Sequence, residues 1–202
     1  TSAGIPSPES IQFPSGTFTQ IYKVNINGSR PEVYSEWPMV NPSVGTKGVL
    51  YEDIKGYEDY WRKHQTSSIA KDIWMFDGKE YRKLTDFKGE DRNPVWSPDE
   101  SSFYYLSERN GTFNVFSINL SDGKDTQLTF HKTHPVRFLS ISDNGVLCYS
   151  YDGDLYTLKP GSQPSKVNVA ITQDDMQRSV IRSISTSGAS QVSVSPEGKE
   201  IA

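Results

Sequence analysis

The sequence predicts an all-β chain: a β-propeller fragment of about four blade equivalents, each complete blade a four-stranded antiparallel sheet. Three observations predict this fold. Helical periodicity is nearly absent, short runs rich in Val, Ile and aromatic residues alternate with glycine-containing turns, and the pattern repeats about every 40–45 residues. Because each sheet has two apolar faces, it needs a neighbouring sheet on both sides, and a propeller supplies one.

The predicted strands are short and begin at residue 18. In chain order they read FTQIYKVNI, GVLYED, KDIWMF, EYRKL, SSFYYLS, TFNVFSINL, RFLSIS, GVLCYSY and DLYTLK. Turn dipeptides such as Asn110-Gly111 and Asp122-Gly123 separate them. These dipeptides are typical of tight hairpins, since glycine reaches positive φ without a Cβ clash.

Several in-phase anchors define the repeat. They are Leu84-Thr85 with Leu128-Thr129, the Asn93–Glu100 segment with its diverged copies at 138–145 and 192–198, and Ile73-Trp74 with Ile21-Tyr22, Val115-Phe116 and Leu155-Tyr156. Unrelated hairpins of a β-sandwich are the alternative, but they would not keep so many anchors in phase. In the Ser-Pro turns of this repeat, Pro98 and Pro196 pre-set φ for the first turn residue.

The repeat divides the chain, taken as one domain over 1–202, into blades. We expect an outer half-blade at 18–36, a blade at 37–86 with an insertion at 55–70, blades at 90–130 and 134–168, and an inner half-blade at 189–202. The two half-blades combine to close a ring, or the parent protein carries further blades; we favour the second, because both ends look cut from a longer protein. A second insertion occupies 172–184.

Composition excludes several classes of protein. The chain has 202 residues, a formal net charge of −4, 23% charged and 12% aromatic residues. It therefore does not have the composition of a disordered tract, and it lacks the basic runs of a general nucleic-acid binder. No window is apolar enough for a membrane span, and no signal peptide is recognisable at the N-terminus. The single cysteine, Cys148, excludes an internal disulfide and a cysteine-based zinc cluster.

Residue types that carry chemistry are present without a convincing pattern. Ser67 and Ser68 lie near His64 and Asp72 in sequence, but no nucleophile elbow is found, and capping of local backbone is the better interpretation. A metal site is not expected either. The pairs considered for one were His131 with His134, Asp152 with Asp154, and Asp174 with Asp175. No cofactor is predicted.

A more informative pattern is a set of charged residues at the starts of innermost strands and on the first insertion. These candidates for a channel rim are Arg62, Lys63, His64, Glu90, Asp91, Arg92, His134 and Arg137. Guanidinium groups bind carboxylates bidentately, so such a rim suits peptides. The alternative, which we favour, is that Asp91 and Arg92 bridge adjacent blades. Tyr57 and Trp61 on the insertion are candidates for a surface contact.

The segment LTDFKGEDRNPVWSPDESSFYYLSERNGTFNVFSINL resembles the TolB-type propeller repeat. The combination of YWRKHQTSS, GEDRNPVW and HPVRFLS is more specific and closely resembles the propeller region of tricorn-type serine proteases. The resemblance extends from about residue 21 to the end of the chain. It implies a large peptidase whose catalytic residues lie in a C-terminal domain, so none is assigned to this chain.

The resemblance therefore predicts a non-catalytic propeller that gates or guides oligopeptides to the parent's own catalytic domain, with the parent assembling into oligomers. A TolB-like scaffold propeller without a protease is the alternative, and the propeller of a prolyl-oligopeptidase-like enzyme is a third. Neither nucleic acid nor a membrane span is expected. Resemblance to bacterial proteins suggests a periplasmic or secreted parent, and the cytoplasm stays open.

Overall fold

The structure is a computed structural model that describes residues 2–4, 19–56, 62, 64–170, 193 and 195–199. Over these ranges the secondary structure consists of strands and turns, and every strand pairing is antiparallel. The described residues include no helix long and apolar enough to cross a membrane. The predicted all-β class is confirmed.

Fifteen strands in the described ranges form four sheets. Sheet 1 contains β1 (Ser2–Gly4), β2 (Thr19–Lys23) and β3 (Glu32–Ser35). Sheet 2 contains β4 (Val40–Val44), β5 (Val49–Glu52), β6 (Ile73–Phe76) and β7 (Tyr81–Lys83). Sheet 3 contains β8 (Asp91–Trp96), β9 (Ser102–Ser107), β10 (Asn114–Asn119) and β11 (Asp125–Gln127). Sheet 4 contains β12 (Arg137–Ile141), β13 (Leu147–Tyr151), β14 (Asp154–Leu158) and β15 (Ser165–Lys166).

Sheets 2, 3 and 4 are meanders of four strands taken in chain order, the topology of propeller blades. Sheet 1 differs from expectation, because β1 pairs with β2 although no strand was predicted before residue 18. The run Thr1–Gly4 is short and lies among prolines and serines, so its pairing is not visible in a local pattern.

The chain divides into two compact units, Thr1–Asn168 and Val169–Ala202. The first unit holds the four sheets. In the second, the described residues include a turn closed by the Gly198 amide on the Ser195 carbonyl at 2.8 Å. Most of the predicted half-blade at 189–202, and the insertion at 172–184, lie outside the described residues.

In sheets 2 and 3, alternating side chains pack against the two neighbouring sheets. In β5, Val49 and Tyr51 pack against sheet 1 with Ile21, whereas Leu50 joins the cluster shared with sheet 3. This is the period of two of a strand buried on both faces. The cluster between sheets 3 and 4 contains Leu106, Phe113, Val115, Val136, Leu139, Leu147, Tyr149 and Leu158. Burial of each such side chain contributes about 1.5–3 kcal/mol.

The first strands, β4, β8 and β12, lie beside one another, and each is bulged at the same point. The bulge residues are Asn41, Asn93 and Phe138, with φ of 48°, 53° and 56°. Asparagine tolerates this left-handed conformation better than most residues do. Because a bulge bends its strand, the repeated bulge bends each first strand at the same point, where it lies beside the first strand of the next sheet.

The Leu-Thr anchors have a shared structural role. The Thr85 hydroxyl accepts a hydrogen bond from the Ile73 amide at 3.0 Å, and the Thr129 hydroxyl accepts one from the Val115 amide at 2.8 Å. Both hydroxyls are buried. A buried amide without a partner is costly, so in sheets 2 and 3 a threonine after the fourth strand supplies an acceptor for an amide at the start of the third.

Candidate functional site

The described candidate rim residues belong to one face of the first unit, here called the connection face. It carries the connections that lead into β4, β8 and β12 and the loops between second and third strands, at 53–72, 108–113 and 152–153. The opposite face, with the turns after each first strand, is called the turn face.

Glu52, at the end of β5, is fully buried and joins two sheets. Its Oε1 accepts hydrogen bonds from the Asn41 side chain at 2.5 Å and from the Asn93 amide at 2.7 Å. Its Oε2 accepts one from the Lys71 ammonium at 3.0 Å. Both carboxylate oxygens are therefore satisfied, which makes a buried charge tolerable.

A second cluster lies within sheet 2 around Asp53 and Asp72, both buried. Asp53 accepts hydrogen bonds from the Asp72 amide at 2.8 Å and the Trp74 indole at 3.1 Å. Asp72 pairs with Lys55 at 2.5 Å and Lys83 at 2.9 Å. Burial alone lowers the pKa of Lys55, but its pairs with Asp72 and Asp53 raise it overall. These contacts join the two ends of the insertion, at residues 53–55 and at residue 72.

Glu90 and Arg92 form a buried pair at the start of β8. The Arg92 Nε donates to Glu90 Oε2 at 2.6 Å, and the guanidinium lies 5.3 Å from the Phe113 ring centroid. Glu90 is 0% and Arg92 3% exposed. Burial raises the pKa of Glu90 against the opposing effect of Arg92. These two rim candidates thus face the protein interior, where they contact neighbouring loops.

Asp91 lies between them in sequence and is also fully buried. Its amide donates to the Lys71 carbonyl at 3.0 Å, but neither carboxylate oxygen has a partner in hydrogen-bonding geometry. Arg109 Nη2 is 3.6 Å away. Burial raises the pKa of Asp91 to about 6, although the Ser107 hydroxyl, the Arg109 charge and the Thr85 hydroxyl are near enough to act in the opposite direction.

Arg109 links the carboxylates of sheet 3. Its Nε donates to the Ser107 hydroxyl at 2.9 Å, its Nη2 to the Tyr105 hydroxyl at 2.8 Å and its Nη1 to Asp125. The Tyr105 hydroxyl donates to the same Asp125 oxygen at 2.9 Å. The guanidinium also lies 4.8 Å from the Phe116 ring centroid. Arg109 is thereby held by charge, hydrogen bonds and cation–π contacts.

The insertion reaches the next sheet through His64. Its amide donates to Glu108 Oε2 at 2.8 Å, and its ring Nδ1 is 3.8 Å from the same oxygen. The His64 side chain is 62% exposed and its φ is 57°, while Arg62 is exposed. The remaining insertion candidates, Tyr57, Trp61 and Lys63, lie outside the described residues.

His134 and Arg137 occupy the equivalent place one sheet later. His134 Nε2 is 3.4 Å from Asp152, and its side chain is 48% exposed. Arg137 is half-buried, and its carbonyl accepts a hydrogen bond from the Ser150 hydroxyl at 3.4 Å. The structure thus brings the predicted rim residues to one face but at different depths: Arg62, His64 and His134 are exposed and Glu90, Asp91 and Arg92 are buried.

The other candidate residues make local contacts. His131 stacks on Tyr151 at 3.7 Å and bonds the Tyr149 hydroxyl at 3.1 Å, and burial lowers its pKa. The Ser67 hydroxyl accepts hydrogen bonds from Gln65 and from the Ile69 amide. In the described part of the chain, no group of three or more His, Cys, Asp or Glu side chains is arranged to hold a metal ion. Asp174 and Asp175 lie outside that part.

The turn face carries a shallow cavity of about 290 Å³ among residues 43–44, 96–100 and 141–143. Its polar groups bond within the protein. Glu100 accepts hydrogen bonds from the Thr46 amide at 2.7 Å, the Thr46 hydroxyl at 2.8 Å and the Lys47 amide at 2.9 Å. The Trp96 amide donates to Ser43 at 3.1 Å. This cavity therefore lies where sheets 2, 3 and 4 meet.

Sequence reasoning missed four charged residues of the connection face: Glu52, Lys71, Glu108 and Arg109. Glu52 is the last residue of β5, and the other three lie one or two positions outside a strand. A charged residue at such a position is usually solvated. A signal was present at Glu52, since the run VLYED ends in two acids after three apolar residues. Several of their partners are more than 40 positions away in sequence, so a local pattern cannot predict the pairs.

The family model of the tricorn protease N-terminal β-propeller domain matches residues 9–164. The chain belongs to this family. The fold agrees with solved propellers. The tricorn protease is 16% identical over 82% of this chain and 16% of its own, with a TM-score of 0.64. A putative TolB from Agrobacterium tumefaciens is 19% identical over 74% of this chain and 56% of its own, with a TM-score of 0.58. TolB from Acinetobacter baumannii is 16% identical over 74% of this chain and 37% of its own, also at 0.58.

No curated protein sequence matches the chain. The chain spans 56% of the Agrobacterium TolB, 37% of the Acinetobacter TolB and 16% of the tricorn protease. At these identities the likeness concerns the fold, and the tricorn family assignment rests on the matched residues 9–164. The predicted tricorn-type, TolB-like propeller is confirmed.

Proposed function

We propose that this tricorn-family propeller is the non-catalytic part of a peptidase and that its connection face guides oligopeptides to a catalytic domain outside this chain. One observation supports the proposal most: Arg62, His64 and His134 are exposed on the face whose buried layer is a network of paired charges. Exposed basic side chains above such a network suit recognition of peptide carboxylates.

In this proposal the buried and exposed candidates have different roles. Glu90 and Arg92 pair with each other and hold the start of β8. The exposed basic residues Arg62, His64 and His134, together with half-buried Arg137, contact the peptide. Asp152, 3.4 Å from His134, adds an exposed carboxylate to the rim. The parent is then a serine peptidase that obtains its selectivity for size and charge from this propeller.

The test is peptide binding by the 202-residue chain. An oligopeptide with a free C-terminal carboxylate and its C-amidated twin are titrated by NMR or calorimetry. We expect the carboxylate form to bind at least tenfold more tightly at low salt, and the Arg62→Ala/Arg137→Ala variant to lose this preference. The matched control, Lys79→Ala/Lys124→Ala, removes two exposed cations from turn-face loops. Equal binding of both peptides, or equal loss in the control, would overturn the proposal.

The scaffold alternative is supported by an exposed aromatic cluster at the outer edge of sheets 1 and 2. Trp37 is 52% and Tyr81 44% exposed, and their ring centroids are 5.9 Å apart. Exposed aromatic patches often mark protein contacts. The mass of the native polypeptide, read with an antibody to this chain, separates the two functions. A product near 22.7 kDa favours a scaffold, and a much larger one favours the peptidase.

A further inference from the structure

We propose that Asp91 is a proton-sensitive latch of the connection face: its neutral carboxylic acid closes the junction between sheets 2 and 3, and its ionisation loosens that junction. The inference does not depend on peptide binding. It rests on the contrast between Asp91 and the other buried carboxylates of the same face.

That contrast is geometric. Glu52, Asp53, Asp72 and Glu90 each accept hydrogen bonds or pair with a cation at 3.1 Å or less. Asp91 is 0% exposed, and neither of its oxygens has a contact in hydrogen-bonding geometry. Arg109 Nη2 is 3.6 Å away, and the nearby Ser107 and Thr85 hydroxyls lower the pKa of Asp91 by less than burial raises it. A buried carboxylate with no donor in hydrogen-bonding geometry is unfavourable, whereas a neutral acid costs far less to bury.

The groups around Asp91 explain how ionisation would act. Arg109 approaches it from the loop after β9 but donates to Asp125 and Tyr105. Burial is the main cause of the raised pKa of Asp91, and the nearby carboxylate of Asp72, at the end of the insertion, raises it further. On the strand of Asp91 itself, Glu90 and Arg92 neutralise each other. An ionised Asp91 therefore competes with Asp125 for a single guanidinium.

The junction that would loosen is defined by two backbone hydrogen bonds. The Asp91 amide donates to the Lys71 carbonyl at 3.0 Å, and the Glu108 amide donates to the Glu90 carbonyl at 3.4 Å. These bonds join the insertion, the start of β8 and the loop after β9. When Arg109 turns from Asp125 toward Asp91, the loop that carries Arg109 moves with it.

The sign of the effect follows from linkage. Burial raises the pKa of Asp91 from 3.8 to about 6, so the native state binds this proton more tightly than the unfolded state does. The stabilisation is fully present below about pH 3.8 and is lost as the pH rises through about 6. Asp91→Asn keeps the neutral shape at every pH and removes the titration.

The experiment is urea denaturation of the 202-residue chain and of Asp91→Asn at about pH 4.5 and 7.5. We expect the wild type to lose stability relative to the variant by roughly 20-fold in the unfolding equilibrium constant over this interval. Asp86→Asn, which removes an exposed carboxylate a few residues away, should show no such change. Parallel pH profiles for wild type and Asp91→Asn would overturn the latch.

Hydrogen exchange gives a local readout. With rates corrected for intrinsic pH dependence, the amides of Asp91 and Glu108 should exchange at least tenfold faster at pH 7.5 than at pH 5 in the wild type, and equally in Asp91→Asn. If that variant does not fold, the ¹³Cγ resonance of Asp91 in the wild type decides. A titration midpoint between 5.5 and 6.5 supports the latch, and a midpoint below 5 refutes it.

Discussion

The side chain of Asn93 makes two hydrogen bonds with the backbone of Leu139, one to its carbonyl and one from its amide. Asn93 Nδ2 donates to the Leu139 carbonyl and Asn93 Oδ1 accepts from the Leu139 amide, each at 3.0 Å. The bulge of β8 is thereby clamped to the bulge of β12. In sheet 2 the corresponding residue, Asn41, donates to Glu52 instead. The residue of sheet 3 equivalent to Leu139 is Pro94, which has no amide hydrogen to donate.

Substitution of Asn93 should separate the clamp from the backbone strain. Asn93→Gly keeps the left-handed φ of 53° accessible but removes both bonds to Leu139, and we expect a loss of about 1–3 kcal/mol. Asn93→Ala should lose roughly 1 kcal/mol more, since a Cβ disfavours this φ. Urea denaturation measures both variants. Equal stability of the two would show that φ contributes nothing here.

Replacing Thr129 by valine removes the hydroxyl that accepts the Val115 amide and donates to Asn114 at 2.9 Å. Since the amide is buried, Thr129→Val should cost about 1–3 kcal/mol. Thr126→Val is the matched control, because Thr126 is exposed on β11 and valine suits a strand. The prediction fails when both variants unfold at the same urea concentration.

Truncation of Glu52 leaves the Lys71 ammonium and the Asn93 amide without their shared acceptor. We expect Glu52→Ala to lose about 3–5 kcal/mol and Glu52→Gln to lose less, because its amide oxygen still accepts from Asn93. The control is Glu32→Gln, which breaks the exposed pair with Lys23 and should cost about 0–1 kcal/mol. Chemical denaturation at neutral pH and low salt gives the comparison.

Asp99 should show the opposite pH dependence to Asp91. The Ser97 hydroxyl at 2.7 Å and the Ser101 hydroxyl at 2.8 Å lower the pKa of Asp99 to about 2. Its contribution is present above about pH 3.8 and is lost as the pH falls through about 2. The difference in Tm between the wild type and Asp99→Asn should therefore shrink as the pH falls from 6 to 2.5. A difference that stays constant with pH would contradict this.

The strands were predictable because their signal is local. In β5 and β9 apolar residues occupy successive positions that serve two neighbouring sheets, and turn residues delimit each run. The Leu-Thr repeat was recognisable in the sequence. The structure explains it, because the threonine hydroxyls accept hydrogen bonds from the Ile73 and Val115 amides. β1 was missed because its strand character comes only from pairing with β2.

The location of the candidate residues along the strands was predictable from the sequence, but their burial was not. The repeat placed Glu90, Asp91 and Arg92 at the start of an innermost strand, which is where they lie. Their burial depends on Lys71 and on residues 107–109, which approach from other loops. Peptide binding by the exposed rim residues stays a prediction.

Sequence alone determined the class, the repeat and the family of this chain, because hydrophobic period, turn chemistry and in-phase anchors are properties of neighbouring residues. The tertiary structure decided which charges are buried and how they pair. Glu52 finds its amide donors in two sheets, and Asp91 is left with a guanidinium already committed to Asp125. Such pairings depend on the distance between segments remote along the chain, and electrostatic energy in a low-dielectric interior is sensitive to that distance.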